Sequence, residues 1–206
     1  MMATSLRAPL QSWRWGVGAT VIAALLLLGP PGGPATLAGQ TMEVPVETQI
    51  PLFLKLLSFD RNLHSRGDSV LLIGVVYQSG NRESQVARDA VDGIVHSSPT
   101  RVEGLPFRSI DIDLDHESLD VFLRAHSIAV IYVAPLRAVD VRGIAQATRQ
   151  AQVRSFTGVT RYVDLGLAVG VGLRGDLPQI IINLPAARLE GADFPAQLLR
   201  LARVLQ

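Results

Sequence analysis

The stretch Leu167-Ala168-Val169-Gly170-Val171-Gly172-Leu173-Arg174-Gly175-Asp176-Leu177-Pro178-Gln179-Ile180-Ile181-Ile182-Asn183-Leu184 decides the fold. Its first seven residues are an apolar run with Gly170 and Gly172 at alternate positions. Residues 174–178 carry reversal chemistry, a glycine that tolerates φ > 0 followed by a proline that fixes φ. Residues 179–184 are β-branched and apolar, the strongest strand signal in the chain. The spacing therefore predicts an antiparallel hairpin. Pro185 opens a short helical turn, and residues 196–205 set leucines and arginines at the spacing of a closing helix.

Upstream, apolar runs alternate with helical patterns. Residues 69–77 and 127–134 are continuous apolar segments, which suit strands covered on both faces. Residues 153–159 are a short strand candidate and 99–105 a weak one. Residues 107–114 alternate, with Ile110, Ile112 and Leu114 on one face of a half-exposed strand. Helical spacing occurs at 49–59, with Pro51 tolerated in its first turn, and at 82–95, where Val86, Ala87, Ala90, Val91 and Ile94 share a face. It recurs from 115, with Asp115 as the cap, to 124, and in the alanine-rich segment 140–152. Strands that alternate with helices imply βαβ units. The expectation is an α/β fold: a three-layer sandwich with a mixed, mainly parallel sheet, a C-terminal antiparallel hairpin and a closing helix.

Residues 1–39 read as a secretory signal peptide. Arg7 and Arg14 form the positive leading region, and residues 17–28 are a 12-residue apolar segment. A Gly/Pro break and the small residues Thr36-Leu37-Ala38 follow. The apolar run is shorter than the ~20 residues of a membrane span, so cleavage, a periplasmic location and no stable membrane insertion afterwards are expected, with an uncleaved anchor as the competing reading. Residues 40–47 read as a linker and 48–206 as one α/β domain. The first 38 residues hold two arginines and no acid, so the remainder carries 17 basic and 18 acidic residues. Such a near-neutral chain lacks the electrostatic footprint of a nucleic-acid binder. It has no cysteine, which rules out disulfides, thiolate metal sites and thiol catalysis.

Catalytic patterns are sparse. Ile73-Gly74-Val75-Val76 and Gln78-Ser79-Gly80-Asn81 occupy the place of a dinucleotide turn without the G-x-G-x-x-G spacing. Asp111, Asp113 and Asp115 share one strand face, as a cation site or a carboxylate pair would require. No glycine turn or distal glutamate completes a calcium loop, and the solvated face of an edge strand accounts for them better. His64, His96, His116 and His126 include no i, i+4 metal pair. Composition permits a Ser/His/Asp triad, but no serine stands in a G-x-S-x-G elbow. Arg61 is read as an ion pair in preference to a pocket residue. No catalytic, cofactor-binding or metal residue, no cofactor and no enzyme activity is therefore expected.

The run from Asn183-Leu184-Pro185-Ala186-Ala187-Arg188 to Leu198-Leu199-Arg200-Leu201-Ala202-Arg203-Val204 resembles the closing segment of the YfiR family. The signal, the early helix leading into an apolar strand and the glycine-bearing strand agree with that family's layout. The cysteines that bridge some members are missing, and the first helix ends in Phe59-Asp60-Arg61-Asn62, without the aromatic-rich ending. The resemblance implies a periplasmic regulatory or adaptor protein that binds a membrane-bound sensor or cyclase protein and lowers cyclic-di-GMP signalling. It would act by preferring one state of that receptor. It assigns no contact residue, and a homodimer is compatible with the sequence. The alternative is a periplasmic small-ligand-binding component, its ligand in the crevice at the carboxyl ends of the strands, lined by the loops after Tyr77 and Ala134.

Overall fold

The computed structural model describes residues 41–63, 70–97 and 101–206. The leader expected at 1–39, and His64 with the polar residues 65–68, lie outside them. Helix α1 (Val46–Leu57) buries Ile50, Phe53, Leu54 and Leu57. It begins inside the segment expected to be a linker, and Val44 and Val46 are buried. Polar ties fix that segment to the sheet. The Leu173 N–H donates to a Glu43 carboxylate oxygen at 3.2 Å, and Gln49, whose Oε1 accepts the Tyr132 hydroxyl at 2.9 Å, donates from Nε2 to the Val44 carbonyl at 2.5 Å. Pro51 thus falls in the helix interior, one turn further in than its expected place.

The chain continues through β1 (Leu71–Tyr77), α2 (Arg82–Ser97), β2 (Arg101–Val102), β3 (Leu105–Asp113) and α3 (Leu119–Ala125). Next come β4 (Ile128–Val133), α4 (Val141–Ala151), β5 (Arg154–Thr157) and α5 (Thr160–Asp164). The end of the chain is β6 (Val169–Arg174), β7 (Leu177–Asn183), α6 (Leu184–Leu189), α7 (Ala196–Leu201) and β8 (Arg203–Leu205).

The eight strands of the described residues form one sheet in the order β2-β3-β1-β4-β5-β6-β7-β8. The central five, β3-β1-β4-β5-β6, are parallel. β2 and β7 are antiparallel to their neighbours β3 and β6, and β8 runs parallel to β7. Alternate strand residues feed two cores. Ile73, Val75, Val130 and Tyr132 pack with α1 and α2. Val76, Ile131 and Val133 pack with Ile144 of α4 and Leu119 and Leu123 of α3. This is the expected three-layer α/β sandwich with a mixed, mainly parallel sheet. A Cβ on Gly170 would stand 2.5 Å from Val163 Cγ2, and one on Gly172 2.5 Å from Thr160 Cγ2. The two glycines therefore let α5 lie directly on β6.

Several local expectations are corrected. The hairpin reverses at Gly175-Asp176, with Gly175 at φ +62°, while Pro178 sits inside β7 opposite Leu173. The closing helix stops at Leu201, and Ala202 turns extended. Residues 203–205 then pair with the free edge of β7, which offers unpaired backbone groups to the next extended segment. Val86 is 53% exposed, because α2 buries the narrower stripe Ser84, Ala87, Val91 and Val95. Ser118, not Asp115, precedes α3. The five-residue α5 is too short to show a period in the sequence.

Candidate functional site

The strand order reverses between β1 and β4: the chain passes from β1 to β3 on one side, then returns across β1 to β4 on the other. Open parallel sheets form a crevice at such a point, outside the carboxyl ends of the strands. Three loops meet there, residues 78–81 after β1, 114–118 after β3 and 134–140 after β4.

Gln78 bridges two of these loops. Its Nε2 donates to Asp115 Oδ1 at 3.1 Å, and its Oε1 accepts the Arg137 N–H at 2.7 Å. Its own N–H donates to Ser84 Oγ at 3.0 Å, which anchors it at the start of α2. Asn81 makes a second crossing, from Nδ2 to the Pro135 carbonyl at 3.0 Å, while its Oδ1 accepts the Glu83 N–H. The Asp115 carboxylate accepts the Gly80 N–H at 2.7 Å. Asp115, His116 and Arg137 are exposed, Gln78 is half-buried and Asn81 is buried.

Asp111, Asp113 and Asp115 do not converge on one point. Asp111 pairs with Arg88 of α2 at 3.0 Å. Its carboxyl is pushed up by burial and by Asp92, against the pull of Arg88. Asp113 accepts the N–H groups of Ser79 and Asp115 at 3.0 and 3.1 Å and holds His116 Nδ1 at 2.8 Å. Burial works against its charge, but the bonds from Ser79, His116 and Asp115 prevail and hold its pKa at about 2. The same hydrogen bond raises the His116 pKa. Asp111 thus ties β3 to α2, Asp113 and Asp115 both hold the loop 78–81, and among the described residues no cluster of His, Asp and Glu is arranged for a metal. His96 and His126 bond to the carbonyls one turn back in their own helices, as helix-end residues do.

Two buried polar groups at the opposite, amino end of the sheet have no precursor in the sequence reading. Arg61 makes the expected ion pair, with Asp193 at 3.6 Å, both largely exposed. Its neighbour Asp60 is the buried one. Arg154 Nε donates to Asp60 Oδ2 at 2.8 Å, with the side chains 3% and 0% exposed. Asp60 Oδ1 also accepts the N–H groups of Asn62 and Asp193. Glu190, fully buried, accepts Thr148 Oγ1 at 2.7 Å, Ser155 N–H at 2.8 Å and Ser155 Oγ at 2.7 Å. Burial raises its pKa to about 7, against those hydrogen bonds and Arg149. A charged residue inside the short strand candidate 153–159 is the one signal the sequence offers for Arg154.

No protein family description and no characterised protein sequence matches the chain. Solved structures do resemble it. A conserved domain protein from Vibrio cholerae O1 biovar eltor str. N16961 is 18% identical with a TM-score of 0.54, over 79% of this chain and 60% of that one. The ligand-free, open structure of a substrate binding protein with adhesive properties from Clostridium difficile is 15% identical with a TM-score of 0.55, over the same shares, 79% and 60%. The ABC domain in complex with L-Trp from Streptococcus pneumonia is 15% identical with a TM-score of 0.52, over 74% of this chain and 59% of that one. At such identities the likeness establishes the fold alone. The match covers about 60% of the length of each of these structures.

Proposed function

We propose that this chain is an exported small-ligand-binding component, and that its ligand enters the crevice between the carboxyl ends of β1 and β4. The observation that carries the reading is the Gln78 amide. It bridges two loops across the switch point, with a donor toward Asp115 and an acceptor toward the Arg137 N–H. A ligand that takes its place offers the same pair: a cationic or amide donor and an anionic or carbonyl acceptor. An α-amino acid zwitterion and a primary amide both qualify. Support comes from the structural neighbours, one a substrate binding protein and one in complex with L-Trp. The proposal assigns binding without turnover and export through the leader at 1–39.

The test is a thermal-shift screen of the purified chain with amino acids and primary amides, followed by calorimetry of each hit. A saturable ligand whose affinity changes at least tenfold in Gln78→Ala and in Asp115→Asn supports the reading. A hit indifferent to both variants, or a screen without hits, overturns it.

The YfiR-family resemblance carries a second proposal, a regulator of a membrane-bound diguanylate cyclase. Its support is apolar surface near the end of the chain, where Leu177 is 69%, Leu189 57% and Leu201 81% exposed. Crosslinking in membranes distinguishes the two. Capture of a cyclase-type receptor supports the regulator, and a ligand hit with no receptor captured supports the binding component.

A further inference from the structure

We propose a second binding site at the far end of the molecule, for a medium-chain alkyl carboxylate. An open pocket of about 400 Å³ lies between α1, α2 and β2. That volume is in the range of small-molecule sites, roughly 300–1,000 Å³. Leu54 of α1, Ile94 of α2 and Val102 of β2 give it an apolar floor. Lys55 and Arg101 stand at its edge with Glu103, so among the described residues the lining holds one more cation than anion.

Lys55 Nζ lies 5.1 Å from the centroid of the Phe59 ring, and Arg101 Nη1 donates to the Gly104 carbonyl at 2.9 Å. Among the described residues neither is ion-paired with a carboxylate. An apolar floor beneath two cations complements a single anionic head on an apolar body. The cations stay hydrated at the rim while the alkyl chain displaces water from the floor. α1 runs toward the amino end of β1, and α2 ends near it, so the cavity lies away from the crevice held by Gln78.

The test is calorimetric titration of the full chain with octanoate, hexanoate and 1-octanol. Each buried methylene tightens binding about fourfold, so octanoate binds roughly tenfold tighter than hexanoate or better. 1-Octanol, which lacks the charge, binds at least fivefold more weakly than octanoate. Lys55→Gln and Arg101→Gln change exposed side chains and leave the melting curve intact. Each weakens octanoate, and together they weaken it at least tenfold. Gln78→Ala leaves octanoate binding unchanged, which separates this site from the crevice. Equal binding of octanoate and octanol, indifference to the double variant, loss of binding in Gln78→Ala, or no heat at millimolar octanoate overturns the proposal.

Discussion

The two ends of the sheet are built on opposite rules. At the amino end Asp60, Arg154 and Glu190 are buried, and every one is held by several partners. At the carboxyl end Gln78, Asp113, Asp115 and His116 bond to one another across loops, with Asp115 and His116 open to water. A buried charge that loses its partner has no water to turn to, whereas a rim group simply rehydrates. The amino end therefore behaves as a lock. The carboxyl end can exchange its internal bonds for bonds to a ligand at little loss.

The largest effect should come from the lock. Arg154→Ala leaves Asp60 buried without its counter-charge and should cost about 3–5 kcal/mol in denaturant unfolding. Asp60→Asn combined with Arg154→Met should recover part of the loss. A loss below about 1 kcal/mol for Arg154→Ala would break the comparison.

Glu190 gives the next effect, and a sign. Its folded pKa is raised from the ordinary 4.5 to about 7, so the native state holds the proton more tightly than the unfolded chain. The contribution is fully present below pH 4.5 and is lost as pH rises through about 7. Stability should fall across that window by about 3 kcal/mol. Glu190→Gln should flatten the slope in a series of urea melts. Asp113 acts in a separate window, because its depressed pKa stabilises above the ordinary carboxylate range and is lost as pH falls through about 2.

At the carboxyl end the changes are small. Gln78→Ala removes two loop-bridging hydrogen bonds at a partly exposed position and should cost about 1 kcal/mol or less. A loss of 3 kcal/mol would show that this end is also a lock. Arg61→Ala breaks an exposed pair at 3.6 Å and should shift stability by less than about 0.5 kcal/mol. Set beside Arg154→Ala, it compares an exposed with a buried arginine at the same end.

Much of this contrast was illegible in the sequence. Apolar periodicity marks a strand such as 127–134 because both of its faces are buried, and it marks 140–152 because one helix face is. It carries nothing about which loop meets which. Gln78 and Arg137 lie 59 positions apart, and Asp60 and Arg154 lie 94 apart, and no local pattern joins them. The three aspartates 111, 113 and 115 were visible as a group, yet their partners lie on α2 and its preceding loop. The last residues, 203–205, read as helix by their spacing, and the open edge of β7 overrode it.

The sequence alone determined the layered α/β architecture, the hairpin and the absence of thiol chemistry, since burial period and composition are local properties. Only the tertiary structure decided the strand order, and with it the switch point between β1 and β4, the buried Asp60–Arg154 pair and the strand at the chain's end. Those depend on hydrogen bonds and ion pairs between distant residues, which form only after the chain has closed on itself.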